Sequence, residues 1–550
     1  MKRSSKRLLM FLIVTSLLVT TLAGCTGSKR GGGTEPAVAK KPIKGGSIII
    51  GCDQEPVILN PFLPDGTSIA TKMVISNVLW GLLVVTPSLE YAPRVAESVP
   101  TLENGLVTEN PFAVTYKIKE QAVWSDGTPI TSHDVKFTWE TIMDPKRRVA
   151  DRSGYDKIEH IYTPDDKTVK LVFREPYAAY KDLFSTVYCI LPKHILEGKS
   201  YDEMLNDILM FASGPYKFKE WEHGDHLTIV KNERFWEEGP YIEKVTFKFM
   251  PKVSEQLSKF TNDEVDVIYP TSNRMVLDHL KGLKDKKVED DPGLIWEHIA
   301  LNLSRPPLDD INIRKAIAHA IDKERIALEA TGRGQVLDSI VMPTQKHYYT
   351  PAWKRYSFSI EKAKGYLAKA GYRKGAGGIY EKDGKHLVLT ISTTSGDLSR
   401  EKAEKIMKGD FEAAGMKLEI RNTDRSSLFN SWIPKGNFQI AIWAWLASPE
   451  PQLNYLFASD KIPSSGLNYY RYRDDEVTKM LNSLPGVLHV GERALTYRKI
   501  QEKISDNVVV IPLYRRPQVL AYDKKINGVK NNVSFEGPFW NLEDWWISGK

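Results

Sequence analysis

The sequence predicts an α/β protein with mixed sheets, divided into two or three domains. Three observations support this. The chain has 550 residues, too many for one hydrophobic core, which stops growing beyond about 250–300 residues. Some short segments alternate apolar and polar residues with period two, as half-buried strands do. Other segments repeat apolar residues at i, i+3, i+4 and i+7, as amphipathic helices do. No repeat of solenoid or propeller period is evident.

The elements follow in chain order. Gly45–Cys52, with three consecutive isoleucines, reads as a buried strand opening the fold. Val114, Tyr116 and Ile118 alternate with Thr115, Lys117 and Lys119, a half-buried strand. Thr131 and Asp134 have capping-box spacing, with Asp in place of the usual Glu. Behind them Val135, Thr138, Trp139, Ile142 and Met143 share one helical face. Val245, Phe247 and Phe249 alternate with Thr246 and Lys248. Asp309 or Asp310 caps a helix whose Ile313, Ala316, Ile317, Ala320 and Ile321 fall on one side. Residues 403–420 predict a helix, a stop at Gly415 and a strand.

Composition excludes several classes. At 42% hydrophobic and 26% charged, the chain is neither disordered, collagen-like nor a polytopic membrane protein. Three cysteines cannot staple a disulfide scaffold. The net charge of +7 is concentrated at the N-terminus. Lys2, Arg3, Lys6 and Arg7 contribute four positive charges. Residues 25–44 contribute four more, from five basic residues against Glu35. The rest of the chain is left near −1, which gives no bulk electrostatic case for nucleic acid.

Residues 1–24 read as a secretory signal, a basic start followed by an apolar run from Leu8 to Leu22. That run is short for a membrane span, which needs roughly 20 apolar residues. Residues 25–44, with three consecutive glycines and two prolines, read as a flexible tether. Cys52 and Cys189 then lie outside the cytoplasm, where a disulfide or two free thiols are both permitted.

Catalytic patterns are missing: there is no HExxH, GxSxG or P-loop. Gly332-Arg333-Gly334-Gln335 lacks the rest of a dinucleotide fingerprint. His223 and His226 flank a Gly-Asp pair and read as a surface turn between strands. Cys189 and His194 have no supporting partner for nucleophilic chemistry, and Asp309-Asp310 and Asp474-Asp475 read as helix caps. No catalytic residue, metal or cofactor is expected.

Thirteen tryptophans are conspicuous. Trp432, Trp443 and Trp445 cluster, as do Trp540, Trp545 and Trp546. Core packing explains aromatics in general. Trp443 and Trp445, however, sit where an alternating strand runs into a loop, a place that commonly lines a cleft.

Four ordered blocks carry a family resemblance. The first spans 114–140, with Trp124-Ser125-Asp126-Gly127-Thr128-Pro129 between a strand and a capped helix. The second holds Gly214-Pro215-Tyr216 and Asn232. The third holds Pro307, Asp310, Arg314, Ala316, Ala320, Ile321 and Asp322. The fourth, weaker, spans 491–514. Together they resemble the solute-binding proteins of bacterial ABC importers, in the oligopeptide, dipeptide and nickel family. Leu22-Ala23-Gly24-Cys25 likewise resembles a bacterial lipobox, which implies lipid on Cys25.

The resemblance implies a type II periplasmic-binding-protein fold of two lobes with an additional domain. Domain I would take 45–90, 188–295 and 509–550, domain II 91–187, and domain III 296–508. It implies a monomeric receptor, lipid-anchored on the extracytoplasmic face of the cell membrane. Such a receptor captures an oligopeptide between lobes and delivers it to ABC permease and ATPase subunits. Peptide-binding members use a Trp-x-Ala-Asp loop whose carboxylate meets the peptide ammonium. Here the matching stretch is Trp445-Leu446-Ala447-Ser448, so Ser448 stands where that Asp would be. A buried ammonium without a carboxylate is costly. Either Glu450 replaces it, or the ligand lacks an amine, as an oligosaccharide does. The expected ligand contacts are Trp443, Trp445, Ser448 and Glu450, with Asn60 and Trp80 from domain I. A surface hydrolase is the rival of another class, and the absent nucleophile argues against it.

Overall fold

The structure is a computed structural model that describes residues 41–549 except 186–187, 200–209, 271–272 and 334. The expected leader, Cys25 and most of the expected tether lie outside the described residues.

Ten strands make one sheet. In chain order they are β1 (Ser47–Cys52), β2 (Tyr216–Glu222), β3 (His226–Lys231), β4 (Lys244–Phe249) and β5 (Val267–Ile268). Then come β6 (Lys286–Leu301), β7 (Val388–Ser392), β8 (Lys417–Ile420), β9 (Ile440–Leu446) and β10 (Val510–Asp523). Their spatial order is β8-β7-β9-β6-β10-β5-β1-β4-β3-β2. β1 runs parallel to β4 and β5, and β7 runs parallel to β8 and β9. The long pair β6 and β10 is antiparallel and joins the two halves of the sheet. Their ladder breaks between Pro292 and Trp296. Gly293 sits in that break, where a Cβ would lie 2.6 Å from the Arg516 carbonyl oxygen, so only glycine allows the approach.

The two halves have separate cores. One holds Ile299, Ile317, Leu389, Phe411, Ile442, Trp443 and Ile511. The other holds Ile50, Trp80, Tyr116, Trp124, Leu227, Phe247 and Trp545. A smaller third cluster packs Phe260, Leu277 and Leu280 on Val519 and Ala521. The period-two rule explains how β10 serves two of them: Leu520 points to the second core while its neighbours point to the third.

Helices form where the caps predict. α1 (Ser132–Met143) follows Thr131, whose N–H donates to Asp134 Oδ2 at 2.8 Å. Asp134 Oδ1 also accepts from the Lys193 N–H at 2.8 Å, which ties the cap to a distant segment. The helix backs a four-stranded antiparallel sheet that contains Phe112–Lys117. α2 (Ile311–Ala320) is capped by Asp310, not Asp309. α3 (Lys323–Thr331) follows it directly. α4 (Leu398–Ala414) ends at Gly415 with φ +83°, the left-handed stop that precedes β8. α5 (Val490–Asp506) leads into β10.

His223 lies in the turn between β2 and β3 and meets Glu55 at 3.0 Å. Cys52 and Cys189 are free thiols, each pushed up to about 12 by burial. Among the described residues, no helix is long and apolar enough to cross a membrane.

Candidate functional site

The site is built on the end of β9. Its apolar run Ile440–Leu446 pairs with β6, and Trp445 lies opposite Trp296. Trp443 is 1% exposed and belongs to the first core. It stacks on Tyr470 at 6.0 Å and meets the His298 ring edge-on at 4.9 Å. Trp445, one turn of the pleat further on, is half-buried. Its ring lies on Tyr469, nearly parallel at 8° with centroids 6.0 Å apart.

A hydrogen-bond chain holds Trp445 in place. Its indole Nε1–H donates to the Tyr470 hydroxyl at 3.0 Å. That hydroxyl contacts His298 Nε2 at 3.0 Å. Burial, with the nearby Arg400 charge, holds His298 well below the usual imidazole range, so it is neutral. The phenol oxygen accepts from tryptophan, and its contact with Nε2 links the Trp445 ring to the buried His298.

The loop after β9 is closed by its own contacts. Ser448 Oγ donates to the Glu450 carbonyl at 2.6 Å, and the Ser448 carbonyl accepts from Gln345 Nε2 at 2.7 Å. Both carboxylate oxygens of Glu450 are engaged. Oε1 accepts from Arg493 Nε at 2.9 Å and Oε2 from the Tyr348 hydroxyl at 2.7 Å. Arg493 is itself fixed by the Val487 and Leu488 carbonyls at the start of α5.

The structure does not bring the other two expected contacts to this loop. Asn60, 3% exposed, closes a turn by accepting the Phe62 N–H at 3.0 Å. Trp80, also 3% exposed, carries the Arg94 guanidinium on its face at 4.1 Å and packs against Phe235 and Trp236. Trp80 belongs to the second core, and Asn60 is a buried polar residue in the chain between its members Leu59 and Phe62.

Sequence reasoning missed two charged groups. Glu297, fully buried on β6, is gripped by Arg400 at 3.0 and 3.1 Å and by Arg516 at 2.6 Å. Asp397, the cap of α4, joins through Arg516 at 2.9 Å. The signals were present as Glu297-His298 within the largely apolar stretch 294–301 and Arg515-Arg516 within the largely apolar stretch 510–522. The second group is Asp182, which accepts a short hydrogen bond from Tyr91. Burial, reinforced by the Glu450 and Glu536 charges, pushes its carboxyl up to about 6. Near it the segment after Phe173 touches the first core's surroundings: Ala178 N–H donates to the Pro485 carbonyl at 2.8 Å.

Two half-sheets, each with its own core, are joined by the β6–β10 crossing, and comparisons with known proteins assign this architecture to the type II periplasmic-binding fold of solute-binding proteins. Residues 90–463 match the bacterial extracellular solute-binding proteins, family 5, and the chain belongs to that family. The oligopeptide-binding protein AppA of Bacillus subtilis strain 168 is 27% identical over 560 residues, covering 100% of both chains. The structure of a periplasmic EDTA-binding protein, EppA, superposes with a TM-score of 0.81 at 24% identity, covering 93% of this chain and 98% of that one. The structure of AppA from Bacillus subtilis with a nonapeptide gives a TM-score of 0.70 at 25% identity, covering 92% and 100%.

Proposed function

We propose that this chain is the substrate-binding component of an ABC importer, capturing an oligopeptide-like solute between two lobes without making or breaking bonds. The lobes would be residues 45–295 with 509–550, and residues 296–508. Ligand enters the open clamshell, hinge motion at the β6–β10 crossing closes it, and a permease reads the closed form. Lipid on Cys25 holds the receptor at the outer face of the membrane, with about 0.8 kcal/mol of membrane affinity per buried methylene.

One observation carries the reading: Trp445 is a partly exposed ring, backed by Tyr469 and keyed by Tyr470, at the strand end. Such an anchored aromatic is what a bound side chain or sugar face packs against. The end-to-end likeness to a relative named for oligopeptide binding supports a peptide. A specific observation favours a second ligand class. The Ser448 hydroxyl is turned back onto its own loop, and Glu450 is already neutralised by Arg493. Neither is a free partner for an ammonium group, which suits an amine-free ligand such as an oligosaccharide.

Thermal shift with a random peptide pool and an oligosaccharide panel separates these readings. Ligand at 100 times its Kd stabilises by about 2.7 kcal/mol. Trp445→Ala is expected to weaken whichever ligand binds by more than about 1 kcal/mol. Unchanged affinity with an intact fold would remove Trp445 from the site, and cleavage of a bound probe would overturn the binding role.

A further inference from the structure

Arg515 lines a pocket at the β6–β10 crossing, together with Pro292, Pro517, Thr331, Gln335 and Pro343. The pocket has about 380 Å³ of empty space, counting the solvent at its mouth. Among the described residues, no carboxylate lies within ion-pair distance of Arg515. Its hydrogen bond is a weak one, from Nη1 to the Pro292 carbonyl at 3.5 Å. A guanidinium carries five N–H donors and does not discharge by losing a proton. Burial pulls Arg515 down from the usual range, and Tyr349 is the titratable group that supports its charge.

The walls sort the possible occupants. Three prolines offer no N–H and form apolar sides. Thr331 Oγ1 is spent on the Ala327 and Arg333 carbonyls. Arg333, also on the wall, donates to the Asp290 carbonyl at 2.7 Å and pairs with its carboxylate. That pair leaves the Arg515 charge uncompensated. A forked, partly desolvated guanidinium facing open space matches a two-oxygen anion.

We propose that this pocket binds a carboxylate-class anion through Arg515, carried on the transported solute or free in solution. The solute-borne case rests on the binding role proposed above, and the free-anion case does not. An anion here would tie β10, where it crosses between half-sheets, to the segment after α3.

The test reads thermal shifts of the full chain, wild type against Arg515→Gln, at matched ionic strength. The probes are sodium succinate, a random hexapeptide pool lacking Asp and Glu, and the same pool with amidated C-termini. The free-carboxylate pool is expected to act at about tenfold lower concentration than the amidated pool in wild type. Arg515→Gln should erase that gap, and Arg515→Lys, which keeps the charge but loses the fork, should keep part of it. If Arg515→Gln does not fold, a reduced gap in Arg515→Lys supports the site and an unchanged gap overturns it. A succinate shift seen in wild type and lost in Arg515→Gln supports the free-anion source. Equal responses of wild type and Arg515→Gln to every probe overturn the proposal. Silence of both pools on wild type sinks the peptide reading instead, and the succinate arm still decides the pocket.

Discussion

Arg515 and Arg516 are neighbours on one strand and have opposite surroundings. Arg516 points to the face where Glu297 and Asp397 wait, and their charges hold its guanidinium above the usual range. Arg515 points to the other face, where prolines and a spent threonine line an open pocket. The strand pleat alone separates them. One cation is part of a closed structural network, and its neighbour is left available for a ligand.

The most severe way to break this contrast is Glu297→Gln. It leaves Arg400 and Arg516 facing a neutral amide in a buried place. A loss of about 3–5 kcal/mol in unfolding free energy is expected, as for other buried pairs broken from one side. A loss below about 1 kcal/mol would mean that the network contributes little.

Glu404 sharpens the same contrast, because it is a buried carboxylate with no cation in ion-pair distance among the described residues. Its Oε2 accepts from Asn422 Nδ2 at 2.7 Å. Burial, with the Glu401 charge, pushes it from 4.5 up to about 7. The fold therefore prefers the protonated form. That contribution is complete below about pH 4.5 and is lost as pH rises through about 7. Glu404→Gln, which cannot ionise, should be about 2 kcal/mol more stable than wild type at pH 8 and indistinguishable at pH 4. Equal stability at pH 8 would place the Glu404 titration below neutrality.

The smallest effect is expected at Arg515→Met. With no ion pair to lose, it should change stability in the absence of ligand by no more than about 0.5 kcal/mol. A loss as large as that of Glu297→Gln would show that Arg515 is structural, like its neighbour.

Much of the fold was legible before any coordinates. The β1 isoleucines, the Thr131–Asp134 cap and the Gly415 stop each depend on residues within one or two turns. The site was legible only in outline. The sequence pointed to Trp443 and Trp445 as a pair, yet Trp443 is sealed beneath His298 and Tyr470 while Trp445 keeps an exposed edge. Their spacing puts both on one strand face. Their distance from the strand end decides which one is covered. What Asn60 and Trp80 do in the fold was not legible either: the turn that Asn60 closes and the Arg94 guanidinium on Trp80 are seen only in the folded chain.

Amphipathic periods, caps and glycine stops were written into neighbouring residues, because those preferences act over a few bonds. Charge compensation was not. Glu297 meets Arg400 across 103 positions and Arg516 across 219, and Glu450 meets Arg493 across 43. No local pattern encodes such distances. Which carboxylate is neutralised, and which arginine stays open, follows from how the folded chain excludes water around each of them.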